Sequence, residues 1–312
     1  MTTVNDKPAP PGGRRRRASA VAPYVMTAPA VALFVVFILV PIGYAVWLSL
    51  HAMRVRGAGL GIRTEVFIGL ENYLDAIRDS ALFSAMRHML GYGLIMVPAT
   101  MGLALLFALL LDAPRVAGKR YSRITIFLPY AVPGVIASLL WGFIYLPAVS
   151  PIHAALNAIG LPTPDFFGDT SIFFSVANIA IWGSVGFNMV VLYTTLRAIP
   201  KELYEAARLD GAPEWQIALR IKIPLLRSSL VMTSVFTLIG MLQVFSEPAT
   251  LRPMTNTITQ DWVPLMRIYQ QAFVDNDIHL GAASSVLLAA ATVLLSLAAL
   301  AVFRIRNARS GE

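Results

Sequence analysis

Six stretches of this sequence run 19 to 27 residues without an Asp, Glu, Lys or Arg, and they constrain the fold more than any other feature. They are residues 24–50, 89–111, 124–146, 171–196, 228–246 and 281–303. A bilayer core about 30 Å thick takes about 20 apolar helical residues to cross. Each stretch is long enough, or nearly so, which predicts an all-α, polytopic membrane protein with six transmembrane helices. The spans also explain a composition that is 57% hydrophobic and 13% charged, a balance that soluble domains do not carry on their surfaces. The first stretch follows Arg14 to Arg17 much as a signal core follows its basic region, but its 27 residues exceed the roughly 7–15 of such a core.

Charge placement orients the spans. With the amino terminus in the cytoplasm, the inside segments are 1–23, 112–123, 197–227 and 304–312, and they hold 18 of the 25 Lys and Arg. That asymmetry satisfies the positive-inside rule. The expected organisation is a basic tail (1–23), a membrane domain (24–303) containing a cytoplasmic loop (197–227), and a short tail (304–312), in the cell membrane with both termini cytoplasmic. The net charge of +8 then reports topology and contact with anionic membrane lipid, and no nucleic-acid partner is needed to explain it.

The spans lack the intramembrane ionisable groups on which proton pumps and voltage sensors rely, although sodium sites can be built from carbonyls and hydroxyls alone. The only Gly-Lys pair, Gly118-Lys119, is followed by Arg120 and makes no phosphate-binding loop. If ATP drives this protein, a separate subunit hydrolyses it. There are no cysteines, no His/Asp/Glu grouping at metal spacing and no catalytic constellation, so no catalytic residue, metal or cofactor is assigned. A self-contained carrier or channel for a neutral polar solute remains the competing class.

The loop at 197–225 reads as two short helices meeting at a turn. Pro200 suits the first position of a helix, and 201–209 are good helix formers. Asp210-Gly211 gives a stop, with Gly211 free to adopt the left-handed conformation. Pro213 restarts a helix expected to end before Pro224, whose ring disfavours helical geometry at Ile223. Small residues around the turn leave room for another protein's surface, and the same pattern also suits a loop lying on lipid headgroups.

Glu205-Ala206-Ala207, Asp210-Gly211-Ala212, Ile221 and Ile223-Pro224 resemble the EAA loop of binding-protein-dependent ABC importer permeases. The resemblance extends to Phe67-Ile68-Gly69-Leu70-Glu71-Asn72-Tyr73, Leu128-Pro129-Tyr130-Ala131-Val132-Pro133, Tyr269-Gln270-Gln271-Ala272-Phe273 and Gly281-Ala282-Ala283-Ser284, features of the carbohydrate-uptake branch. The short ending resembles the first of two paired permeases. One departure is Leu251-Arg252-Pro253-Met254, where a Gly-Gly-Pro run is common. The resemblance implies a type I importer (MetI-like) fold and no enzymatic activity of its own. It further implies a coupling role for Glu205, Ala206, Ala207, Asp210, Gly211, Ala212, Ile221 and Pro224. The implied partners are a second permease of similar fold, two cytoplasmic ATPase subunits that use ATP and Mg, and an extracytoplasmic solute-binding protein.

Polar residues and glycines inside apolar spans mark a solute route, because unsatisfied polar groups facing lipid are costly. In maltose-type members the sugar site lies on the fourth and fifth spans. Matching the loops places the corresponding positions at Ala180, Gly183, Ser184, Phe187, Thr237, Gly240, Met241 and Val244, with Asn188 and Gln243 as further hydrogen-bonding groups. The pathway candidates are therefore Ser184, Phe187, Asn188, Thr237, Gly240, Met241 and Gln243, each of which could equally serve helix packing. Sugar is the cargo the resemblance implies; polyols, glycerophosphodiesters and oligosaccharides are also compatible.

Overall fold

The computed structural model describes residues 14–55, 63–113 and 116–309; positions 1–13 and 310–312 of the expected tails lie outside them. The first apolar stretch forms α1 (Arg14–Phe34) and α2 (Val40–Ser49), joined by a π-helical turn at Val35–Leu39. A two-stranded antiparallel ribbon follows, which an all-α reading did not anticipate: β1 (His51–Val55) pairs with β2 (Arg63–Phe67), with His51 opposite Phe67. After it comes α3 (Glu71–Arg78). Here Asn72 Nδ2 donates to the carbonyls of Ser49 (2.9 Å) and His51 (2.8 Å), and Tyr73 Oη lies 2.6 Å from Ser49 Oγ. The two Asn72 bonds satisfy carbonyls at the end of α2 and at the start of β1.

The second span is α4 (Ser80–Asp112), 33 residues long. It begins earlier than its apolar stretch because Asp79 accepts a hydrogen bond from Ala81 N at 2.9 Å and caps the helix.

The third stretch, expected as one span over 124–146, is broken. α5 (Lys119–Phe127) continues through a 3₁₀ turn at Leu128–Ala131, and the chain then bends by 99° into α6 (Gly134–Tyr145). Pro133 is the cause, since its ring pushes the preceding residue out of helical geometry, and Val132 is extended at φ −82°, ψ 125°. A short α7 (Pro151–Ala158) leads to the straight fourth span, α8 (Ser171–Ala198).

The loop forms α9 (Lys201–Leu209) and α10 (Glu214–Ile217), but the second helix does not end before Pro224 as expected. It passes through a π-turn at Ala218–Lys222 into α11 (Ile223–Leu225). The proline ring would meet the carbonyl four residues back, Arg220, and the wider π-turn moves that carbonyl aside. A bend of 70° follows before α12 (Arg227–Leu242). The fifth span, expected to reach residue 246, is interrupted there, and α13 (Ser246–Leu251) is a separate helix. α14 (Pro264–Tyr269) and α15 (Ile278–Arg309) complete the chain, α15 running past the expected end at 303. Among the described residues, four helices can cross a membrane alone, and six spans result if each bent pair counts as one.

α4 and α8 form the centre. Toward the β-ribbon side, Met89, Tyr92 and Met96 pack with Val176, Ile179 and Met241; toward the loop, Ala104, Ala108 and Leu111 pack with Met189, Leu192, Leu196 and Leu226. At Gly186 the backbone of α8 touches the start of the third-span break, where a Cβ would lie 2.7 Å from Phe127 Cα and closer still to the Ile126 carbonyl oxygen. The first span presents apolar side chains outward along its described length, a surface suited to lipid or a second apolar helix.

Candidate functional site

Two regions carry functional geometry: the loop between the fourth and fifth spans, and a cavity at the broken helices. In the loop, α9 ends in a Schellman turn. Ala212 N donates to Ala207 O and Gly211 N to Arg208 O, both at 3.0 Å, with Gly211 at φ +80°. Only glycine adopts that conformation without strain, so the Asp210-Gly211 stop has its local cause in the residue type. Glu205, Ala206, Asp210 and Gly211 are exposed, while Ala207, Ala212, Ile221 and Pro224 are half-buried. Five large apolar side chains of the loop also face outward: Leu203, Leu209, Trp215, Leu219 and Leu225, with Leu209 89% exposed. Arg208 Nε bonds Glu214 Oε1 at 2.8 Å across the turn, an exposed pair worth little by itself.

Behind this outward face the loop is anchored. Tyr204 is buried, with the Lys222 ammonium 4.9 Å from the centre of its ring. Burial, and then the negative charge of Asp112, push the Tyr204 hydroxyl up to about 12. Lys222 Nζ lies 2.6 Å from Asp112 Oδ2 at the end of α4.

The cavity, about 340 Å³, opens where three interrupted or glycine-rich segments meet. Pro129, Tyr130, Val132 and Gly134 come from the third-span break; Ala180, Gly183 and Ser184 from α8; and Gly240, Gln243, Phe245, Ser246 and Glu247 from the end of α12 and the turn beyond. Non-helical backbone at membrane depth is tolerated where it lines a cavity, and interrupted helices are where transporters expose backbone and polar groups to a solute. Both interruptions serve this one cavity.

The pathway candidates divide by position. Ser184, Gly240 and Gln243 line the cavity. Phe187 stacks on the cavity residue Tyr130, ring centres 5.1 Å apart and planes at 21°. Asn188, Thr237 and Met241 are buried between helices: Asn188 Nδ2 donates to Ser184 O at 3.0 Å, and Thr237 Oγ1 lies 3.4 Å from Asn188 Oδ1. Met241 fills the space over Gly93, which a Cβ there would invade. Residues 237, 240, 241 and 244 divide: within α12, Thr237 and Met241 are buried between helices while Gly240 lines the cavity, and Val244, past the end of α12 at Leu242, lines it too.

Tyr130 and Glu247 were not singled out from the sequence, though the two prolines of Leu-Pro-Tyr-Ala-Val-Pro signal a break that would expose Tyr130. Asn178 Nδ2 bonds Tyr145 Oη at 2.9 Å, and His88 Nδ1 lies 3.1 Å from Trp262 O. Both hold elements together. Among the described residues no group of three or more His, Asp or Glu is placed to hold a metal.

A model of the family described as "Binding-protein-dependent transport system inner membrane component" matches residues 100–310. The chain is 27% identical to the diacetylchitobiose uptake system permease protein of Streptomyces coelicolor, over 98% of this chain and 90% of that one. It is 33% identical to the osmoprotective compounds uptake permease protein of Synechocystis sp., over 70% and 76% respectively. Its fold matches a chain of a bacterial ABC transporter that imports the acidic polysaccharide alginate, with a TM-score of 0.76 and 20% identity over 93% of this chain and 98% of that one.

Proposed function

We infer the role of this chain from its family: it belongs to the binding-protein-dependent transport system inner membrane components. It is a membrane-embedded permease subunit of an ATP-driven importer that receives its solute from a binding protein. From that premise we propose how it works. The outward face of α9 and its Schellman turn docks on a cytoplasmic ATPase subunit, and the observation that carries this is the exposure of Leu203, Leu209, Trp215 and Leu219 beside Glu205 and Gly211. Exposed apolar side chains on a polar loop are what a partner surface buries.

ATP and Mg act in two such ATPase subunits, this chain binding no cofactor and performing no chemistry. Their closure moves the docked loops and shifts a two-state helix bundle between inward- and outward-facing forms. A second permease of similar fold closes the open side of the cavity, and an extracytoplasmic binding protein loads it. Both termini are cytoplasmic, the side that gathers 18 of the 25 basic residues.

The cargo is a sugar or related polyhydroxylated solute. The stacked Tyr130 and Phe187 offer an apolar ring face, while Ser184, Gln243 and Glu247 offer hydrogen-bonding groups around the same space. The test is reconstitution of this chain with its co-purifying partners in proteoliposomes, followed by a panel of solute-loaded binding proteins. A loaded sugar-binding protein is expected to stimulate ATP hydrolysis and drive uptake. Solute flux through this chain alone, without ATP, would instead identify a self-contained carrier.

A further inference from the structure

We propose that Lys222 and Asp112 form a positioning pair that makes the second span move with the coupling loop, an inference that rests on the docking reading above. The loop is joined covalently to α8 and α12 only. Asp112 lies 110 residues away in sequence, at the carboxyl end of α4, yet its Oδ2 is 2.6 Å from Lys222 Nζ. Side-chain exposures are 4% for Lys222 and 7% for Asp112. The same ammonium lies 4.9 Å from the Tyr204 ring centre, so the cation touches both α9, which presents the docking face, and the end of α4. Tyr204 Oη is itself buried without a hydrogen-bond partner among the described residues.

The chemistry of the pair suits transmission. Apolar contacts such as Leu226 against Leu111 and Leu196 are non-directional and allow side chains to slide past one another. A buried ion pair is directional, and separating it deprives two buried side chains of their partner at the edge of a polar cavity of about 240 Å³. Displacing the loop from α4 therefore means breaking this bond, and α4 follows the loop instead. Since α4 carries Tyr92 and Met96 to the wall of the cavity, a push on α9 reaches the cavity through a helix with no covalent link to the loop.

The test uses the assembled importer in lipid nanodiscs. The chain has no cysteine, so spin labels can be placed at Leu106→Cys on α4 and Leu297→Cys on α15, both exposed, and the label distance measured with and without ATP, Mg and vanadate. The probe needs no solute. The wild-type pair should show a nucleotide-dependent distance shift. The double variant Asp112→Leu/Lys222→Met keeps apolar volume in place of the pair, a replacement that leaves buried sites folded. It should retain the ATPase subunits and lose the shift. The exchanged pair Asp112→Lys/Lys222→Asp should recover it. Should the apolar variant not assemble, Asp112→Asn/Lys222→Gln serves in its place. An unchanged shift in the uncharged variants would overturn the proposal, as would loss of ATPase subunits from both of them, because the pair would then only hold the loop's local fold. Failure of the wild-type chain to retain ATPase subunits would instead refute the docking reading.

Discussion

Arg267 Nε lies 2.7 Å from Asp79 Oδ2, joining residues 188 positions apart. The same carboxylate caps α4 through Ala81 N and accepts from Gln271 Nε2 at 3.0 Å. One side chain thus starts the central helix and ties it to α14 and to the turn that enters α15.

Acid sensitivity follows from this arrangement. Burial, the largest influence, would raise the Asp79 carboxyl, but the bonds from Arg267 and Ala81 together outweigh it and hold the group below its usual value. A carboxyl depressed in the folded protein adds stability above its unfolded value of about 3.9 and forfeits it as pH falls through the folded value. Thermal melting of the purified protein should fall as the pH is lowered through and below about 4. Asp79→Asn should melt lower at neutral pH and lose that part of the acid dependence. Asp79→Ala, which also removes the cap, should cost about 2–4 kcal/mol.

The loop turn gives a second test. Among the described residues a Cβ at Gly211 meets nothing within 4 Å, so it is the φ of +80° that opposes a side chain there. Gly211→Val should strain the turn by about 1–2 kcal/mol, leave membrane insertion intact and weaken co-purification of the ATPase subunit. Glu205→Lys should do the same by charge reversal on the exposed face. Wild-type yield of the complex for either variant, with wild-type uptake, would contradict the docking assignment.

Two glycines three residues apart on α8 should behave oppositely. At Gly186 the neighbour is backbone, Ile126 O and Phe127 Cα, and backbone cannot swing aside. Gly186→Ala should destabilise by about 1–3 kcal/mol, read as a lower melting temperature. Gly183 has open space where its Cβ would be and lines the cavity. Gly183→Leu should fold normally and reduce solute uptake by filling that space.

At the cavity, Gln243 is exposed within this chain, whereas Asn188 is buried and already bonded. Gln243→Ala should therefore raise the solute concentration needed for half-maximal uptake without lowering thermal stability. Asn188→Ala should do the reverse, lowering stability by about 1–3 kcal/mol through the groups left unpaired. Uptake assays and melts on the same preparations separate the two.

The spans were legible because crossing a bilayer asks only for length and the absence of charge, both of which a linear sequence records. The turn at Asp210-Gly211 was legible because its conformation depends on the type of one residue. The break at Val132-Pro133 was written in two prolines and read instead as part of an apolar run. The exit of α12 at Leu242 left no comparable mark.

What the sequence determined by itself is therefore the membrane-spanning helical class, the location of the loop between the fourth and fifth spans and the conformation of its turn, all set by local chemistry. Tertiary structure alone decided that two interruptions far apart in the chain open on one cavity, that Thr237 and Met241 turn inward while Gly240 and Gln243 face the space, and that Lys222 finds Asp112 and Arg267 finds Asp79. Those outcomes depend on which helix faces pack together, and packing joins groups whose separation along the chain carries no record of their distance in space.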